Sequence, residues 1–204
     1  MPLDKQYYDH PDFKKKLFAI DDILINGTID YLQPSINPSR SFSLHGVDCD
    51  QVFPGVLVGN ACAARDKKFL KSVGVTHVLN CAQGNRLKMV STDQKFYDDS
   101  DIRFKGLDLD DSCVEDIGKF FDESVKFIDE AIDSGGKVLV HCLAGISRSA
   151  TIAIAYIMLR HNQSVEEAVE EVRKNRIIHP NEGFLKQLVQ LDFKIQESKS
   201  ICRN

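Results

Sequence analysis

From about Asp50 onward, short apolar runs alternate with longer stretches whose apolar residues recur every three or four positions. Val56–Val58, Val75–Leu79 and Ile102–Leu107 read as strands. Lys137-Val-Leu-Val-His141 is a short continuous apolar run, the pattern of a strand in the middle of a sheet covered on both faces. Asn60 can cap a helix reaching Lys71 or Val73, closed by Gly74. Glu115–Ile132 carries Phe120, Phe121, Val125, Phe127, Ile128 and Ile132 at helical spacing, with Gly135–Gly136 after it. Ser147–Arg160 is a helix rich in Ala and Ile. Ser164-x-x-Glu167 is a capping box that opens a helix to about Lys174. Pro180–Asn181 opens a last helix to about Gln196. Strands alternating with helices, then a helical C-terminal third, predict an α/β layered domain.

The first 48 residues show another pattern. Asp12–Asn26 has Phe13, Leu17, Phe18, Ile20, Ile23, Leu24 and Ile25 at roughly helical spacing, with Lys14, Lys15 and Lys16 opposite and Gly27 as terminator. Gln33–Ser43 is rich in Pro and Ser and reads as a loop. The expected organisation is an N-terminal helix and loop over 1–48, a main domain over 49–197 and a tail over 198–204.

Composition narrows the class. The chain has 204 residues, enough for one domain with a core that needs neither disulfides nor a metal. A hydrophobic fraction of 43% is too high for a disordered chain. The net charge of −4 argues against a general nucleic-acid binder, though not against a local basic site. The longest apolar run, Ile152–Leu159, is far short of the about 20 residues of a membrane span, and no secretory h-region opens the chain. The six cysteines, Cys49, Cys62, Cys81, Cys113, Cys142 and Cys202, include no CxxC pair. Free thiols in the cytoplasm, with the nucleus as a further location, are the expectation.

One segment separates a cysteine from the rest: Val138-Leu-Val-His141-Cys142-Leu143-Ala144-Gly145-Ile146-Ser147-Arg148-Ser149. It sets Cys142 at the C-terminal end of a buried strand, before a short loop and a helix, where open α/β sheets place ligands. A Cys and an Arg six positions apart, with Gly between, can wrap one tetrahedral anion. The N–H groups of Leu143, Ala144, Gly145, Ile146, Ser147 and Arg148 would face it as a nest, and Gly145 permits the tight turn. The helix N-terminus adds orphan N–H groups and its dipole, and Arg148 can clamp two oxygens. The same field stabilises a thiolate, so Cys142 is expected to be a nucleophile of lowered pKa. His before Cys, Gly three after it and Ser after Arg have a joint chance expectation of roughly one in twenty thousand.

His-Cys-x5-Arg-Ser resembles the motif of the cysteine-dependent protein tyrosine phosphatases. The Arg-Ser-Ala-Thr continuation, Val58-Gly-Asn60, Gly74–Asn80, Phe127-Ile-Asp129 and Asn175–Leu188 are similar to the small atypical dual-specificity phosphatases of the VHR kind. The resemblance covers about residues 50–195. It implies a central, mostly parallel twisted sheet of about five strands flanked by helices on both faces, with the N-terminal helix as an extra element. It also implies a mechanism. Cys142 attacks phosphorus, Arg148 and the loop hold the equatorial oxygens, and an Asp protonates the leaving oxygen. Counting back from Phe127 favours Asp111 as that acid, with Asp110 and Asp108 as alternatives. Ser149 eases departure of the thiolate, and His141 orients the loop. No cofactor and no metal are expected.

The uncharged loop residues Leu143, Ala144 and Ile146 favour a phosphorylated protein over a phosphoinositide or an RNA 5′-phosphate. Arg176, before the last helix, is expected to receive a second phosphate on a doubly phosphorylated substrate, such as a kinase. Arg86 and Lys88 sit in a loop read as solvated, with acidic peptides as their other role. Neither nucleic acid nor membrane is an expected partner. The amphipathic N-terminal helix is expected to dock on the domain or on a second copy, forming a homodimer.

Overall fold

The structure is a computed structural model and describes residues 4–28 and 46–201. The Pro/Ser-rich loop over 33–43, Cys202 and the end of the expected tail lie outside the described residues.

The sheet consists of β1 (Cys49–Phe53), β2 (Val56–Gly59), β3 (Val75–Asn80), β4 (Arg103–Gly106) and β5 (Lys137–His141). Its order is β1-β2-β5-β3-β4. The β1–β2 hairpin is antiparallel, and the other pairings are parallel. β5 is therefore central, as its continuous apolar run requires, and Asn80 of β3 pairs with His141 at its end.

Side chains alternate between two cores. Val56, Val58, Leu79, Val138 and Val140 face the larger one. It is covered by α6 (Phe121–Asp133), α7 (Arg148–His161), α8 (Val165–Asn175) and α9 (Glu182–Ile201). Leu57, Val78 and Leu139 face the smaller one, beside α3 (Ala61–Arg65), α4 (Lys67–Ser72) and α5 (Gln94–Tyr97). This is the expected α/β sheet with helices on both faces.

The boundaries depart from the sequence reading where side chains find tertiary partners. The helix expected from Asn60 to Lys71 is two, because Asp66 leaves helical geometry and caps α4 by accepting from Phe69 N–H at 2.9 Å. The helix expected from Glu115 starts at Phe121, after a 3₁₀ turn over Gly118–Phe120 whose first N–H bonds Gln187 Oε1 at 3.0 Å. α9 runs to Ile201, beyond Gln196, under a cover of α1 (Lys5–Tyr8) and α2 (Pro11–Asn26). Phe193 packs against Tyr7, His10 and Phe13, and Tyr7 Oη donates to Glu197 at 2.6 Å. Lys16 of α2 pairs with Asp192 at 2.8 Å and Glu166 at 3.0 Å. The amphipathic N-terminal helix thus lies on α8 and α9 of its own chain.

Candidate active site

The loop after β5 is shaped by what holds its carbonyls. Cys142 O lies 3.2 Å from His141 Nδ1. Leu143 O accepts from Ala61 N–H at 3.0 Å, Gly145 O from Arg176 Nε at 2.8 Å, and Ile146 O from His179 N–H at 2.7 Å. In a trans peptide the next N–H points opposite to the carbonyl. With those four carbonyls drawn outward, the N–H groups of Leu143, Ala144, Ile146 and Ser147 turn to the concave side. Gly145 N–H donates to Cys142 Sγ at 3.2 Å. Gly145 has φ +75°, and a Cβ there would lie 2.6 Å from the Gly59 carbonyl, so both conformation and space require glycine. N–H groups gathered on one side of a turn are the geometry an anion nest requires.

Cys142 sits at its floor, 1% exposed. Burial alone would push its thiol up. The Arg148 charge, the Ser149 hydroxyl at 3.4 Å and the N–H groups of Ser149 and Gly145 outweigh burial and hold it below the ordinary range. Arg148, 2% exposed, is held by Leu109 O at 3.2 Å and Lys88 O at 3.1 Å, and Met89 Sδ lies 3.5 Å from Nη1. Its Nε–H makes no hydrogen bond among the described residues and lies 3.7 Å from Asp111 Oδ2. His141 is fully buried. Burial depresses its ionisation to about 4, so at neutral pH the ring is uncharged. A carbonyl only accepts, so Nδ1 carries the hydrogen toward Cys142 O.

The structure separates the three aspartates. Asp111 accepts at Oδ1 from Ser147 Oγ at 2.7 Å and Asn181 Nδ2 at 2.9 Å, which suspends its carboxyl over the loop. Asp108 and Asp110 instead pair with Arg86, the latter at 3.3 Å. Arg86 therefore ties the 84–90 loop to the Asp loop. Gly183 lets α9 approach closely, since a Cβ would lie 2.0 Å from Cys113 O on the same segment.

Arg176 requires a correction. It is 3% exposed, bonds Asp48 at 2.8 Å and Asp50 at 2.7 Å, and spends Nε on Gly145 O. A guanidinium so buried and so committed is a brace for the loop and not a receptor for a second phosphate. It also explains how Asp48, just before β1, and Asp50, within it, stay at 1% and 3% exposure.

Asn181, read from sequence as a cap and packing residue, does cap α9 through Phe184 N–H at 3.0 Å. Its amide nitrogen holds Asp111 as well. An Asn cap, unlike Asp, keeps a donor arm free, and that was the available signal. Asn80 was missed. It is buried and donates to Val90 O at 2.8 Å and Thr92 Oγ1 at 3.2 Å, which fixes the loop that presents Lys88 O to Arg148. Among the described residues no group of three His, Cys, Asp or Glu is placed to hold a metal.

A cysteine-bearing loop at the end of a central parallel strand, with an arginine at the next helix N-terminus and an aspartate above it, points to the protein tyrosine phosphatase superfamily. Residues 56–194 match the family model for the catalytic domain of dual specificity phosphatases, and the chain belongs to that family as one of its atypical members. Human DUSP28 superposes with a TM-score of 0.62 at 26% identity, covering 72% of this chain and 93% of that one. The human tyrosine phosphatase-like serine/threonine/tyrosine-interacting protein gives 0.58 at 32% identity, covering 77% and 99%. The Yvh1 phosphatase domain of Chaetomium thermophilum gives 0.57 at 30% identity, covering 67% and 89%.

Proposed function

We propose that this phosphatase hydrolyses phosphotyrosine and phosphoserine or phosphothreonine on proteins through a cysteinyl-phosphate intermediate. The observation that carries the reading is the buried Cys142 sulfur, which accepts from Gly145 N–H at 3.2 Å and from Ser149 Oγ at 3.4 Å in the loop that leads to Arg148. The thiolate attacks phosphorus in line, forming the S–P bond as the ester P–O bond breaks. Loop N–H groups and Arg148 hold the three equatorial oxygens and bind the transition state more strongly than the ground state. Asp111 gives its proton to the leaving oxygen. The resulting carboxylate takes a proton from water, which attacks phosphorus and releases phosphate. The Ser149 hydroxyl donates to the departing thiolate. Leu143, Ala144 and Ile146 bring no charge to the loop, which favours one phosphate on a protein over a polyphosphorylated lipid headgroup or an RNA 5′-phosphate. A thiolate of this kind functions under reducing conditions, as in cytoplasm or nucleus.

The test is phosphate release from para-nitrophenyl phosphate and phosphopeptides, with acid-quenched trapping of labelled enzyme. Wild type should turn over and carry the label, and Cys142→Ser should do neither while still binding phosphopeptide. The name of the phosphatase-like interacting relative favours a second reading, a phosphopeptide-binding module. Binding of phosphopeptide by wild type without turnover would select it.

A further inference from the structure

Leu87 and Val114 are the two most exposed large hydrophobic residues among those described, at 90% and 92%, and both stand beside the catalytic loop. Leu87 lies between Arg86, paired with Asp108 and Asp110, and Lys88, whose carbonyl holds Arg148. Val114 comes three residues after Asp111. Ile177, 40% exposed, comes directly after Arg176 and two residues before His179, both of which hold loop carbonyls. The backbones beneath are fixed. Met89 N–H bonds Arg86 O at 3.1 Å, and Glu115 N–H bonds Ser112 O at 3.1 Å. Three loops bonded to residues 142–148, through Arg148, Ser147 and the loop carbonyls, thus hold aliphatic side chains out in water.

Charge at this mouth is largely compensated. Arg86 faces two aspartates, Lys119 pairs with Glu115 at 3.0 Å, and Arg176 is sealed against Asp48 and Asp50. Lys88, exposed next to Leu87 and in no ion pair among the described residues, is one charge beside three aliphatic side chains, little for an acidic segment or a second phosphate.

Resting on the phosphoprotein reading above, we infer that Leu87, Val114 and Ile177 select phosphoresidues flanked by aliphatic side chains, and that a second phosphate nearby brings no gain. The occupant is the segment of the phosphoprotein substrate on either side of the phosphoresidue. Its backbone has to cross this mouth to seat the phosphate, which carries its flanking side chains past the loops that hold Leu87, Val114 and Ile177.

The experiment compares matched phosphotyrosine peptides whose flanking positions are Leu, Ser, Glu or a second phosphoresidue. It uses wild type and the Leu87→Ser, Val114→Ser double variant. Wild type should favour Leu over Ser flanks by about tenfold in kcat/KM. In the double variant that ratio should fall to about one or two, each variant serving as its own reference. A ratio near one in wild type, an unchanged ratio in the variant, or a preference for Glu or doubly phosphorylated peptides overturns the inference. In each of those cases Cys142-dependent turnover of the Ser-flanked peptide shows that the phosphatase reading stands. Turnover of no phosphopeptide overturns both.

Discussion

The chain places a cysteine directly after each of two neighbouring strands, and the two thiols have opposite chemistry. Cys81 comes after β3 and Cys142 after β5, their strands are parallel, and Asn80 is paired with His141. Cys81 N–H bonds His141 O at 2.7 Å, so the two strand ends are locked together. Burial is the same, 0% and 1%. Yet burial drives the Cys81 thiol well above its ordinary range, while Cys142 is held below it. Strand-end position and burial therefore do not make a nucleophile. Desolvation sets a common upward baseline, and the sign is decided by the loop into which each strand runs. After Cys81 the chain enters a loop fixed through Asn80. After Cys142 it folds back with N–H groups, Ser149 and Arg148 aimed at sulfur.

Arg148→Ala should break the contrast most. It removes the charge that offsets burial, so Cys142 becomes more like Cys81. The thiolate is present above the thiol's pKa, so the pH at which iodoacetamide half-modifies Cys142 should move upward. In the proposed mechanism the same residue clamps the transition state, so kcat/KM should fall at least about 10³-fold. Loss of activity with an unmoved alkylation profile would show that Arg148 does not set the thiol. Asp111→Asn comes next, with kcat lower by about 10²- to 10⁴-fold on esters with poor leaving groups and the alkylation profile unchanged. Asp110→Asn and Asp108→Asn, whose carboxylates pair with Arg86, should cost far less. An equal loss at Asp110 would move the acid there.

The contrast between the two cysteines was half legible in the sequence. The Cys142 loop was recoverable because its motif is local, with cysteine, glycine, arginine and serine inside eight residues. The α/β layering was recoverable for the same reason, since periodicity is a short-range signal. The outward pull on the loop's carbonyls was not. Ala61, Arg176 and His179 arrive from other elements, and their contacts exist only after folding. Arg176 was misread because a sequence displays its charge and not Asp48 and Asp50, more than 120 positions away. β1 was missed because Asp48 and Asp50, one before the strand and one within it, look like solvated loop until their buried partner is known. Asp111 was separable from its neighbours only by resemblance. In the structure, Ser147 and Asn181 bond Asp111 and neither of its neighbours.

Arg176→Met tests the brace between those positions. It leaves Asp48 and Asp50 buried without their cation and should destabilise the domain by about 3–5 kcal/mol in urea unfolding. The Asp48→Asn, Asp50→Asn, Arg176→Met triple variant should recover much of that loss. It should not recover kcat, because Gly145 O still lacks its donor. Recovery of both would reduce Arg176 to a structural ion pair.

The smallest effect is expected from His141→Asn, which makes both strand ends read Asn-Cys. His141 is uncharged in the fold above about pH 4 and contributes no field to Cys142, so the alkylation profile should move little, and kcat/KM should fall by less than about tenfold. Stability carries the clearer signature. Between the ordinary histidine value of 6.5 and about 4, the unfolded chain binds a proton at His141 and the folded chain does not. The wild-type fold therefore loses stability as pH falls through that window, by up to about 1.4 kcal/mol per pH unit from this group. His141→Asn should make that slope shallower without abolishing it, because burial also depresses the ionisation of His77. Urea midpoints at pH 7 and pH 5 read the difference. An unchanged slope, or an alkylation profile displaced by a full pH unit, would mean that His141 is charged beside the thiolate. The acidity of Cys142 would then come from an imidazolium, and the loop after β5 would no longer account for the difference between the two cysteines.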